Sequence, residues 1–151
     1  MKKKIYLIGS GWVTKGFLDT IDYELYDVHI ISKNENFVYQ PFLASSILNK
    51  EKITFNLKEK YPKINFEKAT VSDFNFENNK IITELENNKN YDYLILCHGS
   101  IINDFNISGI KENSYILKNN DDALKIMKAV QDLPNNANVA IMGCGLTGAE
   151  I

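Results

Sequence analysis

An α/β fold with a parallel sheet and a small antiparallel β-meander is predicted by three features of the chain. Two apolar runs each end in Gly-x-Gly. The first is Ile5-Tyr6-Leu7-Ile8-Gly9-Ser10-Gly11-Trp12, and the second is Val139-Ala140-Ile141-Met142-Gly143-Cys144-Gly145-Leu146-Thr147-Gly148-Ala149-Glu150, with only Ile151 beyond it. Each has the form of a strand running into the glycine turn of a βα unit. Between them lie further apolar strand-like segments, a hairpin signature and one amphipathic helical period.

The elements follow in order. Residues 3–8 read as a buried strand, Trp12 to Ile21 as the helix after the glycine turn, and Tyr26 to Ser32 as a second strand. Together they make a β-α-β unit of about 30 residues, the size of a mononucleotide-binding half. Asn34 to Tyr39 reads as a polar-aromatic loop. Pro41 opens a short helix through Leu48, because proline suits the first helical turn. A second short helix around Lys58-Glu59-Lys60-Tyr61 ends at Pro62, and Ile64 to Lys68 returns as a third strand. Val71–Phe76 and Lys80–Leu85 flank Glu77-Asn78-Asn79 as a hairpin. After the polar stretch Asn87–Asn90, Tyr91 to Cys97 is an apolar strand closed by Gly99. Asn119 or Asn120 caps a helix from Asp121 to about Asp132, with Ala123, Leu124, Ile126, Met127 and Val130 spaced for one buried face and Pro134 ending it.

Composition narrows the class of partner. The 151 residues suffice for a sizeable core, and a net charge of −2 without a long basic run gives no reason to expect nucleic acid. Lys2-Lys3-Lys4 reads as a solvated strand edge. No 18-residue apolar span or signal-peptide pattern occurs, so a cytoplasmic segment is expected. Cys97 and Cys144 lie far apart and form no C-x-x-C pair, which argues against a disulfide scaffold, and no metal site is expected. Arginine is absent. Without a guanidinium fork, a pyrophosphate must be held by backbone N–H groups and a helix N-terminus.

Gly9 permits the sharp reversal after the first strand, and Gly11 removes a side chain where a pyrophosphate would approach. The third small residue of the usual pattern is Thr14, which packs less closely than glycine. The acid expected at the end of the second strand is missing. Ser32-Lys33 stands there instead, with Ser32 able to bond a ribose hydroxyl and Glu35 within reach if the loop folds back. His98 reads as structural, since no partner is visible in the sequence. No cysteine pair occurs in residues 33–60, which disfavours redox-disulfide chemistry.

Five segments in this order carry a family likeness: Gly9-Ser10-Gly11-Trp12; Val28-x-Ile30-Ile31-Ser32; Phe37-x-x-Gln40-Pro41-Phe42-Leu43; Tyr91-Asp92-Tyr93-Leu94-Ile95; and Gly143-x-Gly145-x-Thr147-Gly148-x-Glu150. Together they resemble type II, non-proton-pumping NADH dehydrogenases of the two-dinucleotide-binding flavoprotein superfamily, over about the first third of such an enzyme. The resemblance implies a Rossmann-like FAD-binding domain over residues 1–118, left incomplete. It implies a connecting helix and the first βα turn of an NAD(P)H-binding domain over 119–151, truncated. It also implies FAD on the first unit, NADH on the second as substrate, hydride transfer to the flavin N5 and electrons passed to a quinone.

On the same resemblance, Gly9, Ser10, Gly11 and Trp12 match the pyrophosphate turn, Ser32 and Lys33 the ribose–adenine edge, and Val71 the strand region passing the adenine. Gln40 and Pro41 match the segment approaching the flavin ring. Gly99, in Cys97-His98-Gly99 where Ala-Thr-Gly is usual, matches the backbone crossing over the flavin site. Gly143, Gly145 and Gly148 match the NADH turn, and Glu150 an acid near nicotinamide and flavin that assists proton transfer. An ordinary acid in a helix's first turn is an equally good reading of Glu150.

Membrane contact would lie in a C-terminal part outside this sequence, the full-length relative being peripheral on a membrane. Three residues after Gly148 are too few to nucleate a helix, and Val139–Met142 would be an edge strand. The 151-residue chain alone is therefore expected to bind FAD poorly and to be weakly active or inactive. The rivals are a sulfide:quinone or apoptosis-inducing-factor-like reductase, a non-catalytic FAD- or nucleotide-binding module, and a relic without ligand.

Overall fold

The structure, a computed structural model, describes residues 1–49, 53–85, 88–143 and 145–151. It divides into two compact units, Met1–Phe37 with Phe55–Ser100, and Val38–Thr54 with Ile101–Ile151.

The chain opens with strand β1 (Lys3–Ile8), helix α1 (Trp12–Thr20) and strand β2 (Tyr26–Ser32), the β-α-β unit expected. Strand β3 (Asn36–Val38), a single 3₁₀ turn (Gln40–Phe42) and helix α2 (Leu43–Asn49) follow, then strand β4 (Thr54–Asn56), helix α3 (Leu57–Lys60) and strand β5 (Asn65–Lys68). Strands β6 (Val71–Asn75), β7 (Lys80–Thr83), β8 (Asn88–Asn90) and β9 (Tyr93–Leu96) come next. Helices α4 (Ile110–Asn113), α5 (Asn120–Gln131) and α6 (Leu146–Glu150) complete the described elements.

In the first unit, four parallel strands stand in the order β5-β2-β1-β9, with Lys3 opposite Tyr26 and Ile8 opposite Ile31. Alternate side chains of β1 and β2 fall on opposite faces. Ile5, Leu7, Val28 and Ile30 join Leu18 of α1, Phe37, Leu57 and Ile64 in one cluster. Tyr6, Ile8 and Ile31 join Ala69 and Ile81 in another. Burial on both faces is why Ile5–Ile8 of β1 reads as an unbroken apolar run, whereas β2 carries Asp27 and His29 among its apolar residues. Leu7, Val28 and Ile30 are fully buried, each contributing roughly 1.5–3 kcal/mol.

Strands β6, β7 and β8 form the antiparallel meander. Its β6–β7 turn places Asn79 at φ +50°, and the Asn75 side chain accepts from the Asn78 amide at 3.0 Å.

Several boundaries differ from expectation. The hairpin arm ends at Thr83 rather than Leu85, and Asn88–Asn90 is a strand rather than a loop, held by pairing with Lys80–Ile82. Asn87 lies outside the described residues. The expected loop 34–39 contains β3, which pairs with β4; Phe37 is fully buried and stacks on Phe55 at 4.9 Å. A three-residue strand has too few positions for its period to show in sequence.

In the second unit, Pro41 opens the helical segment as expected. Leu43, Ile47, Ile53 and Ala123 form its core, with Ile126 and Met127 packed against it. Asn119 caps α5 through a capping box with Asp122. Leu124 and Val130, expected on the buried face of α5, are exposed. The Val139–Met142 run is not a strand: among the described residues it joins no sheet, and Val139, Ile141 and Met142 are exposed. An apolar run becomes a strand only where a neighbour supplies ladder hydrogen bonds. Conversely, residues 146–150 do form a helical turn, closed by the Ala149 amide on the Gly145 carbonyl at 3.0 Å.

Candidate functional site

The first glycine turn joins β1 to α1. Gly9 has φ +122°, a conformation that disfavours any side chain, and its amide donates to the Ile31 carbonyl at 2.9 Å. A Cβ at Gly9 would stand 2.3 Å from the Cys97 carbonyl oxygen, so the end of β9 crosses directly against this glycine. Gly11 is different. It is the N-cap of α1 at an ordinary φ of −92°, and a Cβ there would meet nothing within 4 Å. One glycine is demanded by the fold; the other opens a bare approach to the backbone.

The N-cap residue Gly11 has no side chain with which to cap α1, and no acidic residue sits in the helix's first turn. The first-turn amides of a helix have no intrahelical acceptor and lie at the positive end of its dipole. A bare, uncapped N-terminus behind a glycine turn is what a diphosphate fits. Trp12, on the first residue of α1, is partly exposed and meets Phe37 edge to face, with ring centroids 5.1 Å apart.

The ends of β1 and β2 come together at Ser10 and Ser32. Ser32 Oγ donates to Ser10 Oγ at 3.1 Å and accepts from the Asn34 amide at 3.3 Å. Lys33 is exposed; Glu35 is half-buried, and its carbonyl accepts from the Leu57 amide at 3.0 Å. Val71, at the start of β6, packs its side chain against the cluster containing Tyr6 and Ile31. Gly99 has φ +76°, with open space where a Cβ would stand. His98 is exposed.

Thr14 carries more than its packing suggested. It is fully buried, and its Oγ1 donates to the Gly9 carbonyl at 2.7 Å and lies 3.2 Å from Cys97 Sγ. Burial pushes the Cys97 thiol above its ordinary pKa, against the lowering effect of its bond with Thr14. The hint in the sequence is a hydroxyl residue where glycine is usual.

In the second unit, Gln40 and Pro41 lie exposed in the 3₁₀ turn, with the Gln40 carbonyl accepting from the Leu43 amide. Gly143 has φ +108°, Gly145 is the N-cap of α6, and a Cβ at Gly148 would stand 2.1 Å from the Gly143 carbonyl oxygen. That close approach is the packing role of the third glycine in G-x-G-x-x-G. Glu150 is exposed. Cys144 lies outside the described residues. Among the described residues no cluster of metal-ligating side chains occurs, and no helix is long and apolar enough to cross a membrane.

A profile of the pyridine nucleotide-disulphide oxidoreductase family matches residues 3–151. External alternative NAD(P)H-ubiquinone oxidoreductase B1 of Solanum tuberosum mitochondria is 29% identical over 182 aligned positions, covering 99% of this chain and 31% of the relative. The B4 enzyme of Arabidopsis thaliana is 31% identical over 178 positions, with 99% and 31% covered. Among solved structures, NDH2 from Plasmodium falciparum in complex with NADH superposes with a TM-score of 0.75 at 31% identity, over 91% of this chain and 32% of that one. The water-forming NADH oxidase from Lactobacillus brevis shares the fold at TM-score 0.79 and 18% identity, over 99% of this chain and 36% of that one. The chain thus spans about a third of the length of the curated relatives it matches.

Proposed function

The chain belongs to the pyridine nucleotide-disulphide oxidoreductase family, and from that premise we propose that it is the FAD-binding front portion of an NADH:quinone oxidoreductase of the type II NADH dehydrogenase kind. The observation that carries the reading is the pairing of Gly9, packed against Cys97, with Gly11, whose absent side chain leaves open space at an uncapped helix N-terminus. The first unit's turn fits a diphosphate without any arginine.

In this reading Gly9, Ser10, Gly11 and Trp12 hold the FAD diphosphate through main-chain N–H groups. Ser32 and Lys33 meet the ribose–adenine edge, and Val71 passes the adenine. Gln40, Pro41 and Gly99 approach the flavin ring. Gly143, Gly145 and Gly148 form the turn for NADH, and Glu150 holds a proton for exchange when the flavin is reduced. Bound FAD supplies two-electron redox chemistry between NADH and a quinone. The chain's own part is to bind, orient and deliver protons. Residues 1–118 would then be the flavin domain and 119–151 the connection into the nicotinamide domain, in a cytoplasmic segment of a membrane-peripheral enzyme.

The mitochondrial oxidoreductases matched at 29% and 31% identity and the NADH-bound NDH2 at 31% support this choice over the sulfide:quinone alternative, whose Aquifex aeolicus example is 24% identical and shows the fold alone. The test is to purify the chain, titrate it with FAD by flavin fluorescence, and assay NADH-dependent reduction of a soluble quinone. Because the chain spans only about a third of its relatives' length, weak but saturable FAD binding that ADP competes away is expected, with little or no quinone reduction. Absence of both FAD and ADP binding removes the reading.

A further inference from the structure

The two glycine turns solve the same packing problem differently. Positions 143 and 148 in the second turn correspond in spacing to positions 9 and 14 in the first. In the second, the helix comes so near that a Cβ on Gly148 would stand 2.1 Å from the Gly143 carbonyl oxygen. In the first, the equivalent residue keeps its side chain: Thr14 is fully buried, and its Oγ1 donates to the Gly9 carbonyl oxygen at 2.7 Å. The carbonyl that a Cβ would strike in one turn is hydrogen-bonded by a hydroxyl in the other.

The hydroxyl has one proton to give. With that proton on the Gly9 carbonyl, Cys97 Sγ packs at 3.2 Å against Thr14 Oγ1 while itself donating to the Ile95 carbonyl at 3.7 Å. Burial pushes the Cys97 thiol above its ordinary range. The result is a short run of contacts from the end of β9, through α1, to the turn after β1.

That run of contacts has a directional consequence. A trans peptide is planar, with its C=O and N–H pointing opposite ways. Holding the Gly9 oxygen toward Thr14 therefore turns the Ser10 N–H away from it. We propose that Thr14 is a positioning residue for the diphosphate: its hydroxyl, backed by the Cys97 thiol, fixes the Gly9–Ser10 peptide so that the Ser10 N–H presents to the ligand. A glycine at this position packs but has no group with which to orient that peptide. The inference rests on the FAD reading of the first turn and adds to it the side chain that sets the turn's donor geometry.

The test compares Thr14→Val, which keeps the branched volume and removes the donor, with Thr14→Ser, which keeps the donor. Each full chain is titrated with FAD and with ADP, and its denaturation midpoint is recorded without ligand. Thr14→Val is expected to bind both about tenfold more weakly than wild type, and Thr14→Ser to stay within about threefold. A role confined to packing predicts the reverse order, since valine fills the site better than serine. If Thr14→Val does not fold, Thr14→Ala against Thr14→Ser gives the same comparison. Wild-type binding with valine or alanine unchanged, or with serine no better than either, overturns the positioning role alone. Wild type that binds neither FAD nor ADP overturns the cofactor reading and this inference with it.

Discussion

Ser32 Oγ donates to Ser10 Oγ at 3.1 Å, tying the end of β2 to the first glycine turn. The two residues stand 22 apart in sequence, and the parallel register that sets Ile8 opposite Ile31 brings them together. Ser32→Ala and Ser10→Ala should each lower stability by about 0.5 kcal/mol, since water replaces a half-exposed bond at little cost. In a double-mutant cycle the two should be non-additive, with a coupling of about 0.5 kcal/mol. Additive losses in urea denaturation would mean that the bond does not persist in solution.

The two glycines of the first turn should separate folding from binding. Gly9→Ala sets a Cβ 2.3 Å from the Cys97 carbonyl oxygen at φ +122°, so it should cost about 3 kcal/mol or more in denaturant unfolding. Gly11→Ala meets open space at an ordinary φ and should leave stability within about 0.5 kcal/mol. Its FAD affinity should nonetheless fall about tenfold or more, because the methyl occupies the approach to the backbone. A Gly11→Ala chain with unchanged FAD affinity would place the ligand elsewhere.

Thr83 Oγ1 is buried without a hydrogen-bond partner among the described residues, although Thr83 itself pairs with Val71 in the meander ladder. An unpaired buried hydroxyl is a cost that an isosteric methyl removes. Thr83→Val should therefore raise the denaturation midpoint, by up to about 1 kcal/mol in stability. A destabilised valine variant would show that the hydroxyl is satisfied in solution.

Tyr61 donates to Asp19 Oδ1 at 2.5 Å, and Lys15 pairs with the same carboxylate. Burial first, and the Asp19 carboxylate second, push the Tyr61 phenol upward. Its folded-state pKa is raised, so its stabilisation is whole below the unfolded tyrosine value of about 10 and drains away as pH climbs above it. Hydrogen bonds from Lys15 and then Tyr61 hold the Asp19 carboxyl below its ordinary range. That contribution is present above about pH 4 and is lost as pH falls further. Melting temperatures across pH should show Tyr61→Phe flatter than wild type on the alkaline side and Asp19→Asn flatter on the acid side. Parallel curves would exclude the pair as a source of pH dependence.

Asn119→Ala removes one half of the capping box that starts α5 and should cost the second unit about 1 kcal/mol, read by thermal unfolding.

The β-α-β unit, the third strand, the hairpin and the capped helix α5 are legible in the sequence because each has a local cause. The apolar run Ile5–Ile8 marks β1, the β-branched residues Val28, Ile30 and Ile31 mark β2, Pro41 and Asn119 mark helix starts, and the Glu77-Asn78-Asn79 turn marks the meander. The strands at Asn36–Val38, Thr54–Asn56 and Asn88–Asn90 are not, since none has composition or length enough to declare itself. The Val139–Met142 run shows the opposite case: strand composition with no pairing neighbour among the described residues.

The amino-acid order alone determined the family, the parallel architecture and the two glycine turns, because φ-permissive residues after apolar runs act within a few positions of themselves. Only the folded chain decided which glycine is structurally compelled and which faces open space, that Ser10 meets Ser32, and that Thr14 grips the Gly9 carbonyl beside Cys97. Those are contacts between groups distant along the backbone or set by orientation, and their distances exist only once the strands have registered and α1 has packed against them.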